Sequence, residues 1–248
     1  MLRTLSIAGL SVPAKPILVL AALYAGLWLA ARQARARGST GDHLWNAGLL
    51  AAAATLIAAR LWYVVQYWQI YVQEPLQILS PRPGTLAWTP GIVIGLLAGI
   101  VYLRRMRVPL AAAADCLAPG VLLGLAILSV GDFLAGDAFG APTSVPWAID
   151  LWGAHRHPVQ LYQAAALLAS MGIVLADRSP RDGHRAWLAL FLYALTRLVF
   201  DAFRGDSLIL AGGFRAEQMV AWVAVAVAGW VLWQRQPAAT SPHELTDA

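Results

Sequence analysis

Seven long apolar runs, separated by short segments that carry most of the charge, decide what this chain can fold into. They fall at approximately 16–33, 46–69, 90–103, 109–134, 158–176, 186–203 and 216–233. A helix of about 20 residues crosses the roughly 30 Å of hydrocarbon in a bilayer. Inside lipid the backbone has no water to bond, so a span must be a helix or a strand of a closed barrel. These runs lack the apolar–polar alternation of a barrel strand. The expected fold class is an all-α integral membrane protein of about seven transmembrane helices, one membrane domain over residues 1–248.

Composition agrees with lipid as the main solvent. Hydrophobic residues make up 59% of the chain and charged ones 12%, against roughly 25% charged in an ordinary soluble domain. The net charge of +5 does not point to nucleic acid, because the arginines sit in short blocks between apolar runs. Such blocks mark cytoplasmic loops. Cys116 is the only cysteine, which rules out an intramolecular disulfide and a thiolate metal cluster. It reads as a packing residue, and neither a metal nor a cofactor is expected. No cleavable signal is expected at the start, where Arg3, Lys15 and two prolines precede the first run.

The loops set an orientation. Arg32, Arg35 and Arg37 follow the first run, Arg104, Arg105 and Arg107 the third, and Arg178, Arg181 and Arg185 the fifth. With Arg235 these are 10 basic residues on one side, against 6 on the other: Arg3, Lys15, Arg82, Arg156, Arg204 and Arg215. The positive-inside rule then places the amino terminus outside and the carboxyl terminus in the cytoplasm of a bacterial inner-membrane protein. The outer segments 70–90 and 135–157 are rich in Pro, Gly and aromatics yet still apolar. They are expected as irregular structure at the membrane interface. Residues 235–248 read as a short disordered tail.

Charge within a span costs at least ~2.5 kcal/mol at mid-helix, so Arg60 in the second run and Arg197 in the sixth stand out. On the sixth, Tyr193, Arg197, Asp201 and Arg204 share one helical face by spacing. Arg60, Tyr63 and Tyr67 form a similar stripe on the second. Gly131-Asp132-Phe133 ends the fourth run, with Asp137 just beyond, and His157, Gln160 and Tyr162 open the fifth. Each has a plain structural reading: Arg197–Asp201 as an ion pair locking helices, Arg60 capping carbonyls, His157 as an interfacial residue. Together they make a cationic, hydrogen-bonding pocket at one depth. Arginine forks suit a phosphate, and the phosphate at that depth belongs to a phospholipid headgroup.

The run Arg156-His157-Pro158-Val159-Gln160-Leu161-Tyr162-Gln163 resembles the R-H-P-x-Q-L-Y-E signature of the phosphatidylglycerol–prolipoprotein diacylglyceryl transferases. Ala59-Arg60-Leu61 with Tyr63-Val64 resembles that family's G-A-R-L-x-Y-V. Gly131-Asp132-Phe133, Gly136-Asp137 and Phe139-Gly140 resemble its G-N-F-x-N-G-E-x-x-G, and Pro146-Trp147 its later P-W. Tyr193, Arg197 and Asp201 match a late Y-x-x-x-R-x-x-x-E helix, and Gln218 the glutamine starting its last span. The resemblance, from about residue 9 to 233, implies seven spans with the amino terminus outside. It implies transfer of the diacylglyceryl group of phosphatidylglycerol to the lipobox cysteine of a prolipoprotein, releasing glycerol phosphate. Arg197, His157 and Tyr193 would then be catalytic. Arg60, Gln160, Tyr162, Asp132, Asp137, Asp201, Arg204 and Ser129 would line the substrate site.

The chain also departs from the pattern. The arginine of R-x-G-N is Ser129, the histidine of F-H-G-G falls on Thr89, and the tyrosine of an early W-Y-G falls near Pro16. Asp132 and Asp137 replace an asparagine and a glutamate. Two other readings therefore stand beside the transferase: an enzyme on the same scaffold with another acceptor or lipid, and a non-catalytic phospholipid-binding protein.

Overall fold

The computed structural model describes residues 4–7, 10–38, 41–79, 83–209 and 215–235. Arg3, Arg82 and the tail 236–248, read above as outer charges and a disordered end, lie outside the described residues. The chain divides into two compact units, residues 24–120 and residues 1–23 with 121–248.

Eight α-helices occur among the described residues: α1 (Ala14–Ala36), α2 (Asp42–Gln66), α3 (Trp68–Tyr71), α4 (Trp88–Arg105), α5 (Leu110–Ala135), α6 (Val159–Ala176), α7 (His184–Phe200) and α8 (Ala216–Gln234). Six segments are long and apolar enough to cross a membrane: α1, α2, α5, α6, His184–Phe203 and α8. The protein is thus a multi-pass membrane protein. Helix α4 carries a comparable apolar stretch, but its 18 residues include Trp-Thr-Pro at the start and two arginines at the end.

Three expectations are corrected. The second run does not stay helical to 69: the backbone leaves α geometry at Tyr67 (φ −115°, ψ 33°), and α3 is a separate turn. The sixth helix ends at Phe200 and tightens into a 3-10 turn over Asp201–Phe203, so Arg204 falls beyond its face. The third concerns the segment 135–157, expected as irregular structure, part of which pairs as a short hairpin within an otherwise all-α fold. Strands β1 (Thr4–Ile7) and β2 (Leu10–Pro13) pair antiparallel, as do β3 (Ile149–Leu151) and β4 (Ala154–Arg156). An interfacial segment too short to cross bonds its own backbone by folding into a hairpin, here around Trp152 and Gly153, both at positive φ (55° and 74°).

Within residues 24–120, α2 and α4 pack on a stripe of small residues. A Cβ on Gly95 would lie 2.0 Å from Thr55 Oγ1 and 2.5 Å from the Ala51 carbonyl, and one on Gly91 would lie 2.6 Å from the Ala59 Cβ. Such stripes let helices approach closely where lipid supplies no hydrophobic drive. Ala30, Ala34, Leu44, Ala47, Leu103, Ala113 and Cys116 form a buried cluster there, so Cys116 is indeed a packing residue. Within the other unit, α7 packs against both α6 and α8. Large apolar side chains along the spans face outward, among them Val220, Val223 and Trp233 on α8. Lipid solvates such a face and water does not.

Candidate functional site

Within residues 1–23 and 121–248, the start of α1, the end of α5, the start of α6 and the end of α7 bring their polar residues together. Asp132 lies in the last turn of α5, and Asp137 follows a glycine at positive φ, Gly136 (77°). Lys15, from the first turn of α1, reaches both: its Nζ is 2.8 Å from Asp132 Oδ1 and 2.5 Å from Asp137 Oδ2. Helix α6 then joins two clusters. Gln160 donates to the Asp137 carbonyl at 2.6 Å, and Gln163 donates to Asp201 Oδ1 at 3.2 Å. Residues three apart share a helix face, so the Lys15 cluster and the Asp201 cluster flank one turn of α6.

Asp201 is fully buried and takes its charge partner from the helix before it. Arg197 Nη2 lies 2.9 Å from Asp201 Oδ2. That contact occupies one nitrogen of the guanidinium; Nε and Nη1 make no hydrogen bond among the described residues. Two other arginines of this unit, Arg204 of the predicted site and Arg156, are committed. Arg204 forks onto Asp206, with Nε and Nη2 each 2.9 Å from a carboxylate oxygen. Burial works to lower the pKa of Arg204, but Asp206, then Asp201 and Glu217, hold it above the ordinary arginine value. It therefore stays charged and spent. Arg156 donates to the carbonyls of Leu151 (3.0 Å) and Gly140 (3.1 Å) and lies over the Phe139 ring.

A cap of backbone bonds covers this region. Ala141 N–H donates to the Phe203 carbonyl, Gly205 N–H to Phe139, His157 N–H to Ala141 and Thr143 N–H to His155. At Gly140 the chains come so close that a Cβ would lie 2.2 Å from the His157 carbonyl oxygen. His157 sits between Phe203, ring centroids 5.3 Å apart, and Tyr162, 6.2 Å apart. Tyr193 lies one turn before Arg197, half-buried, and its hydroxyl makes no hydrogen bond among the described residues.

Two predicted members do not supply an open cationic or acidic group. Ser129 turns its hydroxyl back to the Leu125 carbonyl at 3.0 Å, a local bond that brings no charge. Arg60 belongs to the unit of residues 24–120. It donates from Nε to the Ile78 carbonyl at 2.8 Å, from Nη1 to the Thr85 carbonyl at 3.0 Å and to the Thr85 hydroxyl, and from Nη2 to the Gln77 carbonyl. Its guanidinium also lies over Tyr71 at 5.3 Å. Its geometry is that of a loop anchor, the carbonyl-capping arm of the sequence reading.

Sequence reasoning missed Lys15, Gln163 and the pairing of Trp147 with Tyr162 (2.6 Å). Lys15 was legible as a lone cation at the mouth of the first span, level with the acids ending the fourth. Lys15→Met is expected to lower the melting temperature modestly, since partly exposed pairs contribute about 0.2–1 kcal/mol each. Adding Asp132→Asn, which removes one of the two carboxylates left without Lys15, should restore part of the loss in a thermal-shift series.

Comparison with known proteins adds a family pattern to this geometry. The model of the family described as prolipoprotein diacylglyceryl transferase matches residues 4–234. A phosphatidylglycerol–prolipoprotein diacylglyceryl transferase of Clostridioides difficile (strain 630) is 31% identical over 211 residues, covering 84% of this chain and 85% of that protein. The proteins of the same name from Thermosynechococcus vestitus and Corynebacterium efficiens are 29% and 28% identical, over 88% and 96% of this chain and 86% and 82% of theirs.

Proposed function

Because the chain belongs to the prolipoprotein diacylglyceryl transferase family, we propose that it transfers the diacylglyceryl group of phosphatidylglycerol to the lipobox cysteine of a prolipoprotein. The cysteine sulfur bonds to the glyceryl carbon bearing the phosphate ester. The carbon–oxygen bond breaks with its electron pair going to the phosphate oxygen. The products are a thioether and glycerol phosphate, which carries away the thiol proton.

The observation that carries this reading is Arg197: an intramembrane arginine held by buried Asp201 at 2.9 Å, with two nitrogens left for a ligand. A guanidinium fork matches a phosphate in charge and geometry, and a fixed cation beside the leaving oxygen stabilises the charge that develops there. Arg197 thus holds the lipid phosphate, with Tyr193 and His157 beside it. Gln160, Tyr162, Asp132, Asp137 and Asp201 shape the headgroup site. Arg204 and Arg60 hold loops in place, and Ser129 contributes no cation. The site opens to the outer face: all seven long helices cross, α4 included, with the amino terminus outside and the arginine-rich loops in the cytoplasm of the bacterial inner membrane. The arginine distribution supports this topology.

The test is direct. The purified protein in detergent, given phosphatidylglycerol and a lipobox peptide, should release glycerol phosphate while the peptide gains one diacylglyceryl mass. Glycerol phosphate without lipidated peptide would overturn the acceptor; no turnover beside an active family member would overturn the transferase.

A further inference from the structure

The Trp147 indole N–H donates to the Tyr162 hydroxyl oxygen at 2.6 Å. An indole nitrogen only donates, so that oxygen is the acceptor, and the hydroxyl proton of Tyr162 goes to another atom. Nδ1 of His157 lies 3.5 Å from the same oxygen, with the two rings edge-on at 64°. Hydrogen bonds in catalytic sites commonly run long without substrate and tighten when it binds. Phe200 packs on the Tyr162 ring at 5.9 Å and Phe203 on the imidazole at 5.3 Å, so both rings are kept in place by aromatic neighbours. Nε2 of His157 makes no hydrogen bond among the described residues.

We infer that Trp147 and Tyr162 fix neutral His157 in its Nε2–H tautomer, so that His157 serves the transfer as a hydrogen-bond donor to the phosphate and not as the base for the thiol. This rests on the transferase reading above. Among the described residues the one assignment that gives the Tyr162 hydroxyl proton an acceptor runs from indole N–H to phenol oxygen and from phenol O–H to Nδ1, with the remaining imidazole proton on Nε2. Nδ1 is the one basic nitrogen of that tautomer, and it is occupied by the Tyr162 proton. As the carbon–oxygen bond breaks, negative charge collects on the phosphate oxygens, and a preoriented N–H stabilises it more than it stabilises the bound lipid. Trp147 and Tyr162 act through His157 and are positioning residues.

Nitrogen NMR on the full chain in detergent, with ¹⁵N-labelled histidine, reads the tautomer without turnover; loss of a signal in His157→Gln assigns it. At a pH where the ring is neutral, His157 is expected to show an unprotonated Nδ1 and a protonated Nε2. In Tyr162→Phe, and less so in Trp147→Phe, the two tautomers should share the population. A protonated Nδ1 in the unaltered protein overturns the inference. In the lipidation assay, His157→Gln keeps an N–H donor but no base, and is expected to stay within about tenfold of the unaltered protein, with His157→Leu well below it. A general base contributes about 10²–10⁴-fold, so His157→Gln falling as far as His157→Leu overturns the donor role. An inactive unaltered protein that shows the Nε2–H tautomer overturns the transferase reading and leaves the tautomer standing.

Discussion

Arg197→Lys is expected to reduce diacylglyceryl transfer by about 10²-fold or more while the protein still folds, because removing one preoriented donor from a site of developing charge costs about 10²–10³ in rate. Lysine keeps a cation for buried Asp201 but replaces a planar fork with a point charge, so Nε and Nη1 are lost as ligands for the phosphate. Arg197→Ala is expected to do more. It leaves the fully buried Asp201 carboxylate without its nearer cation, a loss of about 3–5 kcal/mol when one partner of a buried pair is removed. Its melting temperature should fall along with its activity. Measuring both quantities on both variants separates the two roles: activity lost in Arg197→Lys with little change in melting temperature marks phosphate binding. Equal activity in Arg197→Lys and the unaltered protein would mean that the guanidinium serves only Asp201.

Gly140→Ala is the second large effect expected, and it acts from outside the charged cluster. The added Cβ would lie 2.2 Å from the His157 carbonyl oxygen and 2.9 Å from both the His157 Cβ and a Val159 methyl. The first contact is with backbone that already donates from His157 N–H to Ala141, so no flexible side chain can swing away. Overpacking of this kind costs about 1–3 kcal/mol, and here the strain falls on His157, two residues before α6 begins. Transfer activity should drop at least tenfold with a lower melting temperature, whereas Gly172→Ala, where nothing lies within 4 Å, should leave both unchanged. Full activity in Gly140→Ala would show that the cap does not position His157.

Much of the candidate site was legible because membrane burial makes polar residues conspicuous. An arginine in an apolar run needs a partner, and the spacing of Arg197 and Asp201 named it; the ion pair is present at 2.9 Å. The helices were legible for the same reason, since a backbone in lipid has one local way to satisfy itself. The hairpin β3–β4 was not, because three-residue strands leave no periodic signal and their pairing depends on a turn at Trp152 and Gly153. Lys15 escaped because its partners, Asp132 and Asp137, lie more than a hundred residues away.

Local chemistry thus determined the spans, the family pattern and the identity of the polar residues at one level, for each is written in runs of neighbours along the chain. Which arginine remains available was decided by tertiary structure alone. Arg60, Arg156, Arg197 and Arg204 are equally cationic as sequence. Three of them are consumed, by the carbonyls of Gln77, Ile78 and Thr85, by those of Gly140 and Leu151, and by the Asp206 carboxylate. A guanidinium has five donors and no acceptor, so its use is settled by whichever oxygens the fold places around it, and among the described residues Arg197 is the one of these four with both Nε and Nη1 unbonded.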